Sequence, residues 1–185
     1  MTRRLLSIFF TTFLCATLCL MAQDFDPKQG YRLEIGDGLA LDCQDGTITF
    51  SPVNKKAPSQ VWNIVKSERQ GHWCLYSPAN EVTLDNGNHG AREGEVLTWN
   101  LEPGNPNQQW LIINNNNGTI TLTCAASGLK LGFNDTCQPG GRAWQLKATN
   151  DSNYAQWQLV KTNLHVKGLT QAIKSDNDWE NETIF

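Results

Sequence analysis

The chain reads as an all-β protein made of one unit used three times, with about four short strands per unit. Three observations carry this reading. Apolar residues fall in short runs, and no long stretch shows helical periodicity. Turn-forming residues punctuate the runs at Asp45-Gly46, at Asn86-Gly87, and from Asn114 to Gly118. A tryptophan-centred segment recurs at near-constant intervals.

That segment is Ser59-Gln60-Val61-Trp62-Asn63-Ile64-Val65. It returns as Asn107-Gln108-Gln109-Trp110-Leu111-Ile112-Ile113, and in degraded form as Tyr154-Ala155-Gln156-Trp157-Gln158-Leu159-Val160. The tryptophans are 48 and 47 residues apart. In a strand, a residue and its neighbour two later share a face, so each copy directs a Trp and an aliphatic side chain into the same core. Trp62, Trp110 and Trp157 are therefore core residues. A second match lies upstream of each copy. Leu39 to Cys43 corresponds to Val82 to Asn86 and to Leu129 to Phe133, which places Asp42, Asp85 and Gly132 in equivalent positions. The Asn114 to Gly118 turn joins two arms, Trp110 to Ile113 and Thr119 to Cys124, as a hairpin. The repeats occupy residues 23–162, enough for one core.

Residues 1–22 read as a secretory signal peptide. Arg3 and Arg4 supply the positive start, Leu5 to Leu20 the apolar run, and Ala22 a small residue at the cleavage point. The run is short for a membrane span. A lipoprotein signal would acylate Cys19, but Leu18 stands where a small residue is wanted. The protein is thus expected to be secreted, periplasmic or on the cell surface. Export leaves Cys43, Cys74, Cys124 and Cys137 in an oxidising compartment. Four cysteines allow three pairings. Cys124 with Cys137 closes a short loop and leaves Cys43 with Cys74. Zinc is the competing account, and no C-x-x-C spacing or His pair supports it.

Composition narrows the function. Acids outnumber bases 18 to 15, and a nucleic-acid partner would want a basic footprint. Charged residues are only 18% of the chain, while there are seven Trp and three His, a balance suited to neutral polar ligands more than to acid–base chemistry. His72, His89 and His165 are scattered. Glu93 and Glu95 form a carboxylate pair, but their spacing in a Gly-flanked loop reads as a solvated turn rather than as a glycosidase site. No cofactor or metal is called for, and the chain as given is read as non-catalytic.

Three Q-x-W units of this length, each preceded by an L-D type strand, resemble the ricin-type β-trefoil lectins. The resemblance covers most of residues 23–162. It implies a β-trefoil of about twelve short strands with up to three shallow carbohydrate pockets, one per unit. It also implies the pocket residues: the Asp after the first matched strand, an aromatic some 15 residues on, and the Asn before the Q-x-W glutamine. The middle unit carries all three as Asp85, Trp99 and Asn107. Asp85 would bridge two sugar hydroxyls, Trp99 would stack on the pyranose, and Asn107 would bind a third hydroxyl. Gln108 completes the set, with a structural reading as the partner that holds the turn. Asp85 also has a plain reading as the cap of its own Asp85-Asn86-Gly87-Asn88 turn. Leu97 stands where the family often has a polar side chain. The implied ligand is a glycan of galactose or N-acetylgalactosamine type.

The other units are reduced. The first offers Asp42, Phe50 and Gln60 as a lesser second site, with a shortened loop and Ser59 in place of the Asn. The third has Gly132, Leu146 and Tyr154 where the Asp, aromatic and amide belong. A protein–protein trefoil, such as a protease inhibitor, is a rival class that the Q-x-W repeats disfavour. Residues 163–185 read as a linker ending in Asp178-Trp179-Glu180-Asn181. This string resembles the opening of family 2 glycoside hydrolases of the β-galactosidase type. On that resemblance the chain is the N-terminal part of a larger secreted hydrolase, whose lectin module would carry it to glycans.

Overall fold

The computed structural model describes residues 24–36, 38–134, 137–149 and 153–166. The expected signal peptide and the string from Asp178 to Asn181 lie outside these. Thirteen strands appear among the described residues, and the only helical pieces are two single 3₁₀ turns, Pro58–Gln60 and Asn153–Ala155. None of these helices is long and apolar enough to cross a membrane.

The three units have the same anatomy. The first holds β1 (Gly30–Ile35), β2 (Leu39–Gln44), β3 (Thr47–Pro52) and β4 (Trp62–Lys66). The second holds β5 (Trp73–Ser77), β6 (Val82–Asp85), a two-residue β7 (Gly94–Glu95), β8 (Leu97–Trp99) and β9 (Trp110–Asn114). The third holds β10 (Ile120–Cys124), β11 (Lys130–Gly132), β12 (Trp144–Leu146) and β13 (Gln158–Thr162). The outer strands of the units pair in a closed ring. β1 joins β4, β4 joins β5, β5 joins β9, and β9 joins β10. The ring shuts through the Ile120–Trp157 bridge and the β13–β1 pair. Closure removes the sheet edges that would otherwise invite aggregation. The remaining strands form the hairpins β2–β3, β6–β8 and β11–β12. This is a β-trefoil, with β7 as one strand beyond the expected twelve.

The repeat is visible bond by bond. Tyr31, Trp73 and Ile120, each on the first strand of its unit, lie opposite Trp62, Trp110 and Trp157. The indole N–H of each motif Trp donates to the carbonyl of the corresponding leucine: Trp62 to Leu41 at 3.1 Å, Trp110 to Leu84 at 3.3 Å and Trp157 to Leu131 at 2.9 Å. All three indoles are fully buried. A buried indole needs a partner for its N–H, and the hairpin strand supplies it. The hairpins converge beneath the ring. Phe50 lies near-parallel to Trp157 at 6.1 Å and edge-on to Phe133 at 6.2 Å. Its amide donates to Gly141, and the amide of Val96 donates to Ala143.

The turns follow their chemistry. Asp45 and Gly46 both have positive φ, the conformation of a two-residue hairpin loop that matches strand twist. The β9–β10 hairpin closes with Asn115 donating to Thr119 and with Gly118 in the left-handed region.

The expected disulfides are corrected by the structure: no disulfide joins Cys124 to Cys137 or Cys43 to Cys74. Strand alternation separates the second pair. Cys43 shares the inward face of β2 with Leu39 and Leu41 and belongs to the main core. Cys74 lies on the opposite face of β5 from Leu75, packed with Val65 and Tyr76 in a separate cluster. The Cys124 thiol points at the carbonyls of Pro106 and Asn107, 3.7 and 3.8 Å away, whereas Cys137 lies beside Gly36.

Two measurements check this architecture. Trp110→Phe should cost about 2–4 kcal/mol in denaturant unfolding, through the lost Leu84 bond and the space left behind; a variant of unchanged stability would contradict the bonded core. Burial pushes the Cys43 thiol above its ordinary pKa. Peptide mapping should therefore find Cys43 alkylated at pH 8 only after unfolding, and without a linked Cys43–Cys74 peptide.

Candidate functional site

Antiparallel register assembles the middle-unit site. Asp85, the last residue of β6, sits directly opposite Leu97 of β8. Trp99 is two residues along β8 from Leu97, so carboxylate, isobutyl group and indole share one face of the hairpin. Trp99 is 60% exposed and Leu97 49%, in a molecule whose other large apolar side chains are mostly covered.

The fourth wall comes from the β8–β9 connection. The carbonyl of Asn107 accepts from the amide of Asn86 at 3.1 Å, which ties this loop to the residue after Asp85. Asn105 accepts from the Asn107 amide through Oδ1 at 3.0 Å and donates through Nδ2 to Glu102 at 3.0 Å. Asp85, Leu97, Trp99, Asn105 and Asn107 thus surround an open cleft of about 390 Å³, with Gly87 and Asn88 at its rim. Asp85 caps its own turn as well as lining the cleft. Its Oδ1 accepts from the Gly87 amide at 2.8 Å, as a turn cap does, while the residue still lines the cleft. Chemically, the cleft offers a flat aromatic face, a carboxylate acceptor and amides that both donate and accept.

Gln108 is the exception among the four expected residues. It is fully buried, with Oε1 accepting from the Glu102 amide at 2.8 Å and Nε2 donating to the Asn100 carbonyl at 2.8 Å. Its amide is therefore spent on the loop and does not reach the cleft. Gln60 repeats the arrangement in the first unit, accepting from Asn54 and donating to Pro52. The Q-x-W glutamine is a loop brace in both units. Asn105 was not singled out from sequence. Its signal is the Asn105-Pro106-Asn107 turn, in which an Asn side chain caps the amide two residues on.

The lesser site expected at Asp42, Phe50 and Gln60 does not open to solvent. Asp42 is 2% exposed and its Oδ2 accepts from Gln44 and Gln60, while Phe50 is sealed in the core against Trp157. The shortened loop carries the aromatic residue inward. In the third unit the Tyr154 carbonyl accepts from the Phe133 amide, as Asn107 does from Asn86. It lies so close to Gly132 that a Cβ there would collide with the carbonyl oxygen. A second cleft, of about 400 Å³, lies between Glu34, Gly36, Thr119 and Gln156, and none of the described residues that line it is aromatic. Among the described residues no three His, Cys, Asp or Glu side chains are gathered to hold a metal ion.

Restoring the family-like acid in the third unit should fail for steric reasons. Gly132→Ala should already lose about 2–3 kcal/mol in chemical denaturation, because the clashing group is backbone and cannot swing away. Equal stability of variant and parent would show that Tyr154 is not packed there.

Comparison with known proteins agrees with the fold. Residues 58–146 match the family model described as ricin-type beta-trefoil lectin domain-like. No curated protein sequence gives a significant match. Among solved structures, the designed 3-fold symmetric protein ThreeFoil superposes with a TM-score of 0.63 at 24% identity, over 70% of this chain and 97% of that one. A Polyporus squamosus lectin, bound to the epitope Neu5Aca2-6Galb1-4GlcNAc, gives 0.61 at 16% identity, over 75% of this chain and 50% of that one. An exo-beta-1,3-galactanase from Clostridium thermocellum gives 0.67 at 19% identity, over 76% of this chain and 32% of that one. The chain thus spans half or less of these two natural proteins. The chain thus has the β-trefoil fold, and its stretch from Pro58 to Leu146 is similar to the ricin-type lectin domain-like model.

Proposed function

We propose that this protein is an exported carbohydrate-binding module that holds one galactose-type sugar in the cleft of its middle unit. The observation that carries the reading is the meeting of Asp85, exposed Trp99 and Asn107 in one open cleft. Trp99 covers the C–H face of the pyranose. The Asp85 carboxylate, with Oδ1 already holding the turn, accepts from neighbouring sugar hydroxyls. The Asn107 amide adds a donor and an acceptor that distinguish epimers. An axial 4-hydroxyl, as in galactose, brings two adjacent oxygens within reach of one carboxylate. The lectin-like family match supports the class of ligand. Two similar structures, the galactanase and an endo-β-galactosidase from Clostridium perfringens, have names that speak of galactose-containing substrates.

A second reading places the module inside a larger hydrolase of the β-galactosidase type. The Asp178-Trp179-Glu180-Asn181 string favours it. A shallow pocket binds weakly, with Kd of about 0.1–1 mM, and gains from a tether that raises local concentration. A reading frame continuing into catalytic domains would support this arrangement. Export through residues 1–22 is checked by N-terminal sequencing of the purified product, which should begin at Gln23.

Galactose titration by calorimetry or NMR tests the site. Trp99→Ala should weaken binding at least about tenfold while leaving unfolding stability near that of the parent. Asp85→Asn preserves an acceptor for the Gly87 amide, so it should retain the fold and lose most of the affinity. Unchanged binding in both variants would remove this cleft from consideration.

A further inference from the structure

We propose that His89 is a positioning residue of the middle-unit cleft: its imidazole, wedged between Gly87 and Gly94, holds the turn that aims the Asp85 carboxylate. The inference rests on the sugar-binding reading of this cleft, and His89 is not among the residues that line it. The Asp85 carboxylate is not fixed by its own strand alone. Its Oδ1 accepts from the Gly87 amide at 2.8 Å, so its aim follows the place of Gly87. The turn there does not hold itself. Asn88 has a φ of 57°, in the left-handed region that is unfavourable for a residue with a Cβ.

His89 supplies the hold. A Cβ at Gly87 would come within 2.7 Å of the imidazole Nε2, and one at Gly94 within 2.7 Å of Cδ2. One edge of the ring therefore fills the gap between these two residues. Nε2 also lies 2.9 Å from the Glu95 carbonyl oxygen. A carbonyl only accepts, so Nε2 carries the proton and donates. Glu95 belongs to β7, which pairs with β12 of the third unit. A line of contacts thus runs from the Asp85 carboxylate through Gly87 and His89 to a strand anchored in the neighbouring lobe. A carboxylate held in advance loses less freedom when a ligand arrives, and that saving appears as affinity.

The experiment uses the full chain and two readouts, galactose affinity by NMR titration and hydrogen exchange at the Gly87 amide. His89→Ala should weaken galactose binding about fivefold or more and speed Gly87 exchange about tenfold or more. Exchange at the distant Gly118 amide and the unfolding midpoint should stay near those of the parent. His89→Gln keeps a planar donor for the Glu95 carbonyl and should return both readouts to within about twofold of the parent. Gly94→Ala leaves His89 and every cleft residue in place but expels the ring, so it should reproduce the losses of His89→Ala and add little to them in the double variant. Parent-like affinity in His89→Ala overturns the inference. So does a loss of affinity with Gly87 exchange unchanged, which would make His89 a direct sugar contact, or a rise in exchange throughout the chain. A parent that binds no galactose while Gly87 exchange responds as expected sinks the sugar-binding reading, and the role of His89 in it, but not the brace itself.

Discussion

Three buried indole N–H groups, each bonded to a leucine carbonyl on a hairpin strand, are the constraint on which the molecule depends. Each bond ties the last strand of a unit, or the residue leading into it, to that unit's hairpin. Each indole also fills the junction where the closed ring meets the hairpins. An unpaired indole N–H in that setting would carry the cost of an unsatisfied buried donor. The near-constant spacing of the tryptophans is therefore the sequence record of a requirement that recurs once per lobe.

That constraint explains why one lobe is open while the others are closed. In each hairpin strand the residue after the leucine that accepts the indole bond holds the position of the expected acid: Asp42 after Leu41, Asp85 after Leu84 and Gly132 after Leu131. What happens next depends on the following loop. In the middle unit β7 pairs with β12 of the third unit, and Gln145 reaches over to donate to the carbonyls of Gly90 and Arg92. The long β6–β8 connection is thus pinned, and β8 presents Trp99 outward. In the first unit the direct Asp45-Gly46 turn puts Phe50 on the inward face. In the third, the Tyr154 backbone fills the space.

Much of this was legible in the sequence because it rests on period and spacing. The triplication, the motif tryptophans in the core and the Asn114 to Gly118 hairpin follow from alternation and offset, whereas the grouping of Asp85, Trp99 and Asn107 was legible only through the resemblance to the ricin-type lectins. The rest depends on which way a side chain turns within a strand, which a list of residue types does not carry. Cys43 and Cys74 look like partners until alternation places them in separate clusters. Phe50 looks like a pocket aromatic until its two-residue turn sets it on the core face. Gln108 sits next to Asn107 in sequence yet spends both ends of its amide on the backbone of its own loop. The exclusion of a side chain at Gly132 comes from a carbonyl over twenty residues away.

The pairing of β1 with β13 has a further consequence. Gly30 lies opposite Thr162, so the polypeptide comes into the trefoil and departs from it at neighbouring points on one seam. The lobe bearing Trp99 is built from strands between those points and contributes nothing to the seam. Such a body behaves as a cassette: spliced into or appended to a longer polypeptide, it adds almost no length between the segments it interrupts.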